Sequence, residues 1–457
     1  MMKNFKVLLI ALSLSILASQ ASASVAFSVK DGEIPRTKIL FLGFDSTNQS
    51  LKNDSTIVLE HIKRNLKTTD LFEIIKQSGQ IEASPISAQS LPGTNQNLAA
   101  QNVSIDSLPN FEKYNKAGIG AIIVAQINYG VDGNLELSLR MWDVLDQRQL
   151  FGKFYSSSRD NYHKMANLIS NEIFKAISGE KSGIFTSQIL YVSESGPLNK
   201  RIKRINIIDF DGENRRVLTD GSDLVLTPIF SKRPDEIFYL RYTEKRPQIF
   251  SLDLRNLRSR KIGGFRGTTF AASINPKDSN VILISAIFDG NSDIYEMNIS
   301  ENGAKRLTNS PAIDTTASYS PDGKLIAFSS DRDGSQQIYI MDSNGSSVRR
   351  VSFGTGSYSK PVWSPDGKLL AFTRIKNGQF FIGVMSPNGK GEKLLTNAYL
   401  VEGAKWSPNG RYLIYAKKRG AYGQDSIPRL YVIDIISGFE FELPTPANEG
   451  ASDPDWA

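Results

Sequence analysis

Tyr319-Ser-Pro-Asp-Gly-Lys-Leu-Ile-Ala-Phe328 returns 44 residues later as Trp363-Ser-Pro-Asp-Gly-Lys-Leu-Leu-Ala-Phe372. A third copy, Trp406-Ser-Pro-Asn-Gly-Arg-Tyr-Leu-Ile-Tyr415, is close. Two weaker copies start at Phe230 and Ile274, where the Pro-Asp-Gly core is degraded. The five anchors Phe230, Ile274, Tyr319, Trp363 and Trp406 are spaced by 44, 45, 44 and 43 residues. A fixed period of this length is the mark of a repeat architecture, and it decides the fold.

Each unit reads as four strands. In the best one, Ala317–Ser320 is a first strand and Leu325–Ser329 a second, joined by Pro321-Asp-Gly-Lys. Proline presets φ in that turn and glycine accepts positive φ. Gln337–Asp342 alternates as a third strand, Asn344-Gly345 is a hairpin signal, and Val348–Ser352 is the fourth. Four antiparallel strands in roughly 40–50 residues make a propeller blade. Gln188–Val192 through Arg216–Thr219 supplies second, third and fourth strands with no anchor before them. Asp453-Pro-Asp-Trp456-Ala457 supplies an anchor with nothing after it. Joined, the two pieces give a sixth blade and remove the exposed sheet edge. The expected fold is an α/β N-terminal domain followed by an all-β six-bladed propeller over 184–457, closed by 453–457.

The chain of 457 residues is long enough for two domains. It begins with Lys3 and Lys6, an apolar run from Val7 to Leu17, and Ala21-Ser22-Ala23. That order is a secretory signal, 1–23, with cleavage after Ala23 and Ser24 as the new N-terminus. The run is too short for a membrane span. Residues 35–183 carry mixed periodicity: strand patterns at Lys38–Phe44, Ala121–Asn128, Leu135–Met141 and Gln149–Phe154, and helical spacing over Thr56–Leu66. A second helix is expected to be capped by Asp160 and to end before Gly179. Ser84–Asn110, rich in Ser, Pro, Asn and Gln, reads as a loop or insertion.

Chemistry is hard to place on this chain. Cysteine is absent, which removes thiol catalysis, disulfides and cysteine-bound metal. The two histidines, His61 and His163, are far apart on expected helices and read as helix-face residues. There is no G-x-S-x-G, P-loop or G-x-G-x-x-G. The pairs Asp209/Asp211 and Asp331/Asp333 lack the full calcium-loop spacing and fall at turns, where Asp is expected. Trp363, Trp406 and Trp456 read as inter-blade core. The net charge of +7 is spread among acids, and the densest basic run, Arg255–Lys261, reads as a solvated turn. No cofactor, metal or nucleic-acid partner is expected.

The Trp-Ser-Pro-Asp-Gly-Lys repeats resemble those of TolB-like propellers. The resemblance extends to Phe27-Ser-Val-Lys-Asp-Gly32, Ile119–Gln126, Ile208-Asp-Phe-Asp-Gly212 and the terminal Asp-Pro-Asp-Trp456. It implies a non-enzymatic periplasmic scaffold of the Tol–Pal system, a monomer within a heteromeric complex. It further implies Pal lipoprotein at the propeller mouth, TolA on the mature N-terminal segment, roles in outer-membrane integrity and cell division, and exploitation by bacteriocins. A small-molecule or glycan-binding propeller, or a propeller hydrolase or lyase, is the alternative.

Loops joining one blade's outer strand to the next blade's inner strand converge on one face: Leu224–Pro228, Thr268–Ala272, Asp314–Ala317, Tyr358–Pro361 and Val401–Ala404. The expected Pal contacts there are Thr268, Thr269, Phe270, Asp314, Thr315, Thr316, Tyr358, Lys360 and Glu402. The segment 24–34 carries little core, and Ser24, Val25, Phe27, Val29, Asp31 and Glu33 are the expected TolA contacts. Its alternation suits addition to a partner's sheet edge.

Overall fold

A computed structural model describes residues 35–75 and 105–457, apart from positions 45, 198, 244–245, 263–267, 289, 302 and 422. The signal, its cleavage position Ala23, the segment 24–34 and most of the 84–110 stretch lie outside the described residues.

The N-terminal domain is a five-stranded sheet in the order β2-β1-β3-β4-β5. Its strands are β1 (Thr37–Leu42), β2 (Phe72–Ile75), β3 (Ala121–Tyr129), β4 (Leu135–Asp143) and β5 (Arg148–Ser157). β1 is parallel to β2 and β3, and the remaining pairs are antiparallel. Helices α1 (Gln49–Thr68) and α3 (Tyr162–Ser178) cover one face through Val58, Ile62, Leu66, Ile169 and Ile173. The short α2 (Phe111–Lys116) covers the other face with Tyr114 against Val124 and Trp142.

α1 begins earlier than its apolar spacing indicates, because the Asn48 side chain accepts from the Ser50 and Leu51 amides and caps it. The expected cap at Asp160 is corrected: Asp160 lies inside a 3₁₀ turn, Arg159–Asn161, and α3 starts one turn later without a side-chain cap. Its end is the left-handed Gly179 (φ 72°).

Six four-stranded sheets follow. The first to fifth blades begin on inner strands Val225–Phe230, Thr268–Ile274, Asp314–Tyr319, Ser357–Trp363 and Leu400–Trp406. The composite blade takes its inner strand from Gly450–Trp456 and its other three from Gln188–Ser195, Ile202–Asp209 and Arg216–Val217. Asp455 pairs with Leu190 and Trp456 with Ile189, so the two ends of the propeller segment are zipped together.

The recurring Ser-Pro-Asp-Gly has a physical explanation. The Ser320 hydroxyl donates to Asp322 (2.6 Å) and accepts from the Leu325 amide (2.9 Å), while Gly323 takes φ 69°. Ser364, Asp366 and Gly367 repeat this, as do Ser407, Asn409 and Gly410. Each tight turn brings its proline against the next blade: a Cβ on Gly367 would sit 3.7 Å from Pro321, and one on Gly410 3.5 Å from Pro365. The motif therefore sets both the turn and the spacing between blades.

One apolar core runs through both domains. Phe174 of α3 meets Phe185 edge-on at 6.0 Å, Phe185 meets Phe210, and Phe210 stacks on Trp456 at 5.4 Å. Around that core the helices bond to the propeller. His61 Nε2 lies 2.9 Å from Asp211 and 3.1 Å from Asn167, and Asn167 donates to Asp211 at 2.8 Å. Arg64 contacts the other ring nitrogen of His61 at 3.1 Å. Asn214 meets His163 at 2.7 Å. Arg411, buried, forks onto the fully buried Asp434 (2.9 and 2.8 Å) and approaches Glu180.

Candidate binding site at the propeller mouth

Every inner strand carries a register shift at the same place. In five blades the bulged residue has positive φ: Thr227 (44°), Thr316 (54°), Lys360 (53°), Gly403 (72°) and Asp453 (48°). In the second blade the shift falls between Phe270 and Ala272. A bulge bends its strand and re-aims a side chain, and Thr227, Thr316, Lys360, Gly403 and Asp453 all line the axial cavity. The six bulges thus form a collar around the channel, followed at three positions by Pro228, Pro361 and Pro454. Two collar amides are held by serines of the preceding blade: Thr316 N–H by Ser285 Oγ (3.0 Å) and Lys360 N–H by Ser329 Oγ (3.1 Å).

The collar is charged. Lys360 Nζ meets Glu402 at 2.5 Å across two blades, with both side chains about 40% exposed. Lys405 pairs with Asp455 at 3.2 Å. Burial pushes the Asp453 carboxyl above the ordinary carboxylate range, Lys360 opposes this, and the Glu402 charge adds to it. The collar residues share a cavity of about 490 Å³ with Tyr319, Trp363, Trp406 and the turn prolines Pro276, Pro321 and Pro365. The tryptophans are nearly buried; Trp406 donates to the Val362 carbonyl of the preceding blade (3.0 Å), and Trp456 donates to Ser187 (2.6 Å) within the composite blade.

The sequence-derived contact residues divide into three groups. Thr315, Thr316, Lys360 and Glu402 are part-exposed and stand at the collar, with Thr316 Oγ1 2.8 Å from Ser329 Oγ. Thr268, Thr269 and Phe270 occupy the corresponding strand of the second blade, paired with Ile287, Ala286 and Ser285. Asp314 and Tyr358 are corrected: both are fully buried. Asp314 is gripped by Arg332 at 3.0 and 3.1 Å. Tyr358 donates to Glu392 at 2.9 Å under the Arg374 guanidinium. Burial and Glu392 push its phenol up, so it remains a neutral donor. These two support the collar from behind. Thr227, Gly403, Lys405, Asp453 and Asp455 line the channel and were not among the expected contacts; the signal was there, in the positions three residues and one residue before the recurrent inner-strand anchors.

Inner strands enter at this collar and leave at the Ser-Pro turns. The α/β domain packs on the leaving side, against the 209–214 turn and Arg411. Mouth and α/β domain therefore occupy opposite faces. Among the described residues no group of three His, Cys, Asp or Glu could hold a metal ion, and no helix is long and apolar enough to cross a membrane.

Taken together, this is a two-domain β-propeller with an axial, charged mouth. Residues 174–457 match the model of the TolB beta propeller domain, and residues 87–150 that of the TolB amino-terminal domain. The chain belongs to the TolB family. It is 39% identical over 354 residues to the Tol-Pal system protein TolB of Gluconobacter oxydans (strain 621H), covering 77% of each chain. It superposes on the crystal structure of TolB from Acinetobacter baumannii with a TM-score of 0.77 at 27% identity, over 93% of this chain and 97% of that one.

Proposed function

We propose that this chain is a non-enzymatic periplasmic scaffold of the Tol–Pal system, holding Pal at the collar and TolA through Ser24–Glu33. The observation that carries the reading is the collar itself: a ring of bulged residues with part-exposed threonines and a cross-blade Lys360–Glu402 pair, on the face away from the α/β domain. Such a surface offers a partner protein hydrogen-bonding and charged groups around one axis. The work it supports is connection: outer-membrane integrity and division depend on joining partners at two separate places.

Deleting Ser24–Glu33 should abolish a TolA complex and leave a Pal complex intact in co-purification. Thr315→Arg, which adds bulk at the collar without touching the core, should weaken Pal binding at least about ten-fold, equivalent to the loss of one good contact. Unchanged Pal affinity in that variant would move the interface elsewhere. Export is tested separately by N-terminal sequencing of the periplasmic protein, which should begin at Ser24.

A further inference from the structure

We propose that the outer rim where the composite blade meets the first blade is a docking surface for an anionic lipid bilayer. The outer strand of the first blade, Ser259–Lys261, is exposed throughout, as is the turn before it. Arg258, Arg260 and Lys261 make no ion pair among the described residues. Arg255 is engaged by Asp253 (3.0 Å) and Asp235 (4.0 Å). Arg216, on the outer strand of the composite blade, reaches the Leu254 carbonyl at 2.6 Å and so joins the same patch.

A hydrated turn accounts for these cations but not for what stands among them. Leu257 and Val217 are each 46% exposed and line the same cleft of about 470 Å³ between the two outer strands. Leu257 holds φ 56°, a conformation a bulky residue rarely takes, fixed by its amide's bond to the Asp253 carbonyl (2.8 Å). The strain keeps an apolar side chain at the tip of a basic turn. The nearby acids are occupied inside the cleft: Asp223 by Arg241, and Asp220 by the Ser222 amide and hydroxyl.

Cations surrounding exposed aliphatic tips match a lipid surface, where phosphates meet the cations and the tips enter the interfacial layer. A folded acidic partner would match the charges and leave the strained leucine without a use. The strand Ser259–Lys261 lies on the circumference of the ring, and its turn is on the face opposite the collar, so a molecule docked this way keeps the collar free.

Co-sedimentation with vesicles tests this. The protein should bind phosphatidylglycerol–phosphatidylethanolamine vesicles at low salt and not pure phosphatidylcholine. Arg258→Glu/Arg260→Glu/Lys261→Glu should weaken partitioning about a hundred-fold, each cation being worth roughly a factor of five at such a surface. Leu257→Ser should weaken it about five-fold through lost apolar burial. Lys164→Glu/Lys305→Glu/Lys390→Glu alters net charge equally at exposed positions elsewhere and should retain most binding. All variants share one N-terminus, so an apolar leader cannot produce the difference. Absence of wild-type binding to anionic vesicles, or equal loss in both triple variants, overturns the proposal; so does binding indifferent to Leu257→Ser, which reduces it to attraction between charges alone.

Discussion

Two β-branched threonines, Thr227 and Thr316, are held at positive φ in the collar, where a left-handed non-glycine costs on the order of 1–3 kcal/mol. Gly403 sits at the equivalent place with φ 72°, and a Cβ there would find its nearest neighbour at 3.8 Å, so strain and not space governs substitution. Gly403→Val should therefore lower unfolding stability by about 1–3 kcal/mol in a urea titration. Thr316→Gly relieves strain but forfeits the bond to Ser329, and should stay within about 1 kcal/mol of the parent. Asp211 is the other decisive residue. Burial opposes its charge, yet bonds from His61, the Glu213 amide and Asn167 hold its carboxyl below its ordinary value of 3.8. A carboxylate depressed on folding stabilises the native state above its unfolded pKa, and that contribution is lost as pH falls below 3.8 through the folded value. Stability should drop in that acid window, and Asp211→Asn should flatten the drop while removing about 1.5–3 kcal/mol at neutral pH.

At the scale of elements, the inner strand Gly450–Trp456 matters most. Trp456 stacks on Phe210 and donates to Ser187, so Trp456→Ala should cost about 3–5 kcal/mol, visible as a lower melting temperature. The six blades were legible in the sequence because the repeated turn is a local device: serine, proline, aspartate and glycine each have one task within five residues. The degraded turns at Phe230 and Ile274 still form, with Ser231 Oγ accepting from the Arg233 amide and Asn275 from Lys277, so spacing outlasted the motif. Less local features were hidden. Asn48 looked like an ordinary polar residue until its helix placed two amides on it. β2 is too short to announce itself. His61 and His163 read as helix-face residues, and only the fold shows that the face is turned toward the propeller. Tyr358 and Asp314 looked available at a loop and proved buried, because Arg374 and Arg332 fold back over them.

For the whole molecule, the shared core is the feature with the widest reach. Phe174 packs against Phe185 and Tyr412, joining α3 to the composite and fifth blades. Expressed alone, residues 184–457 would expose these rings and strand Arg411 without Glu180. That fragment should melt lower than the full chain and bind an apolar dye that the full chain ignores. The mouth faces away from this junction, which leaves the collar free while the domains stay clamped.

The composite blade also imposes an order in time. Its inner strand, Gly450–Trp456, is synthesised about 260 residues after the strand it must pair with, Gln188–Ser195. Pairing across such a separation is slow and comes late. Until Trp456 is available, the collar lacks Asp453 and Asp455, and the blade carrying the interdomain bonds has an open edge. A chain cut before Gly450 would therefore have no finished mouth. Binding competence thus requires both ends of the propeller segment at once.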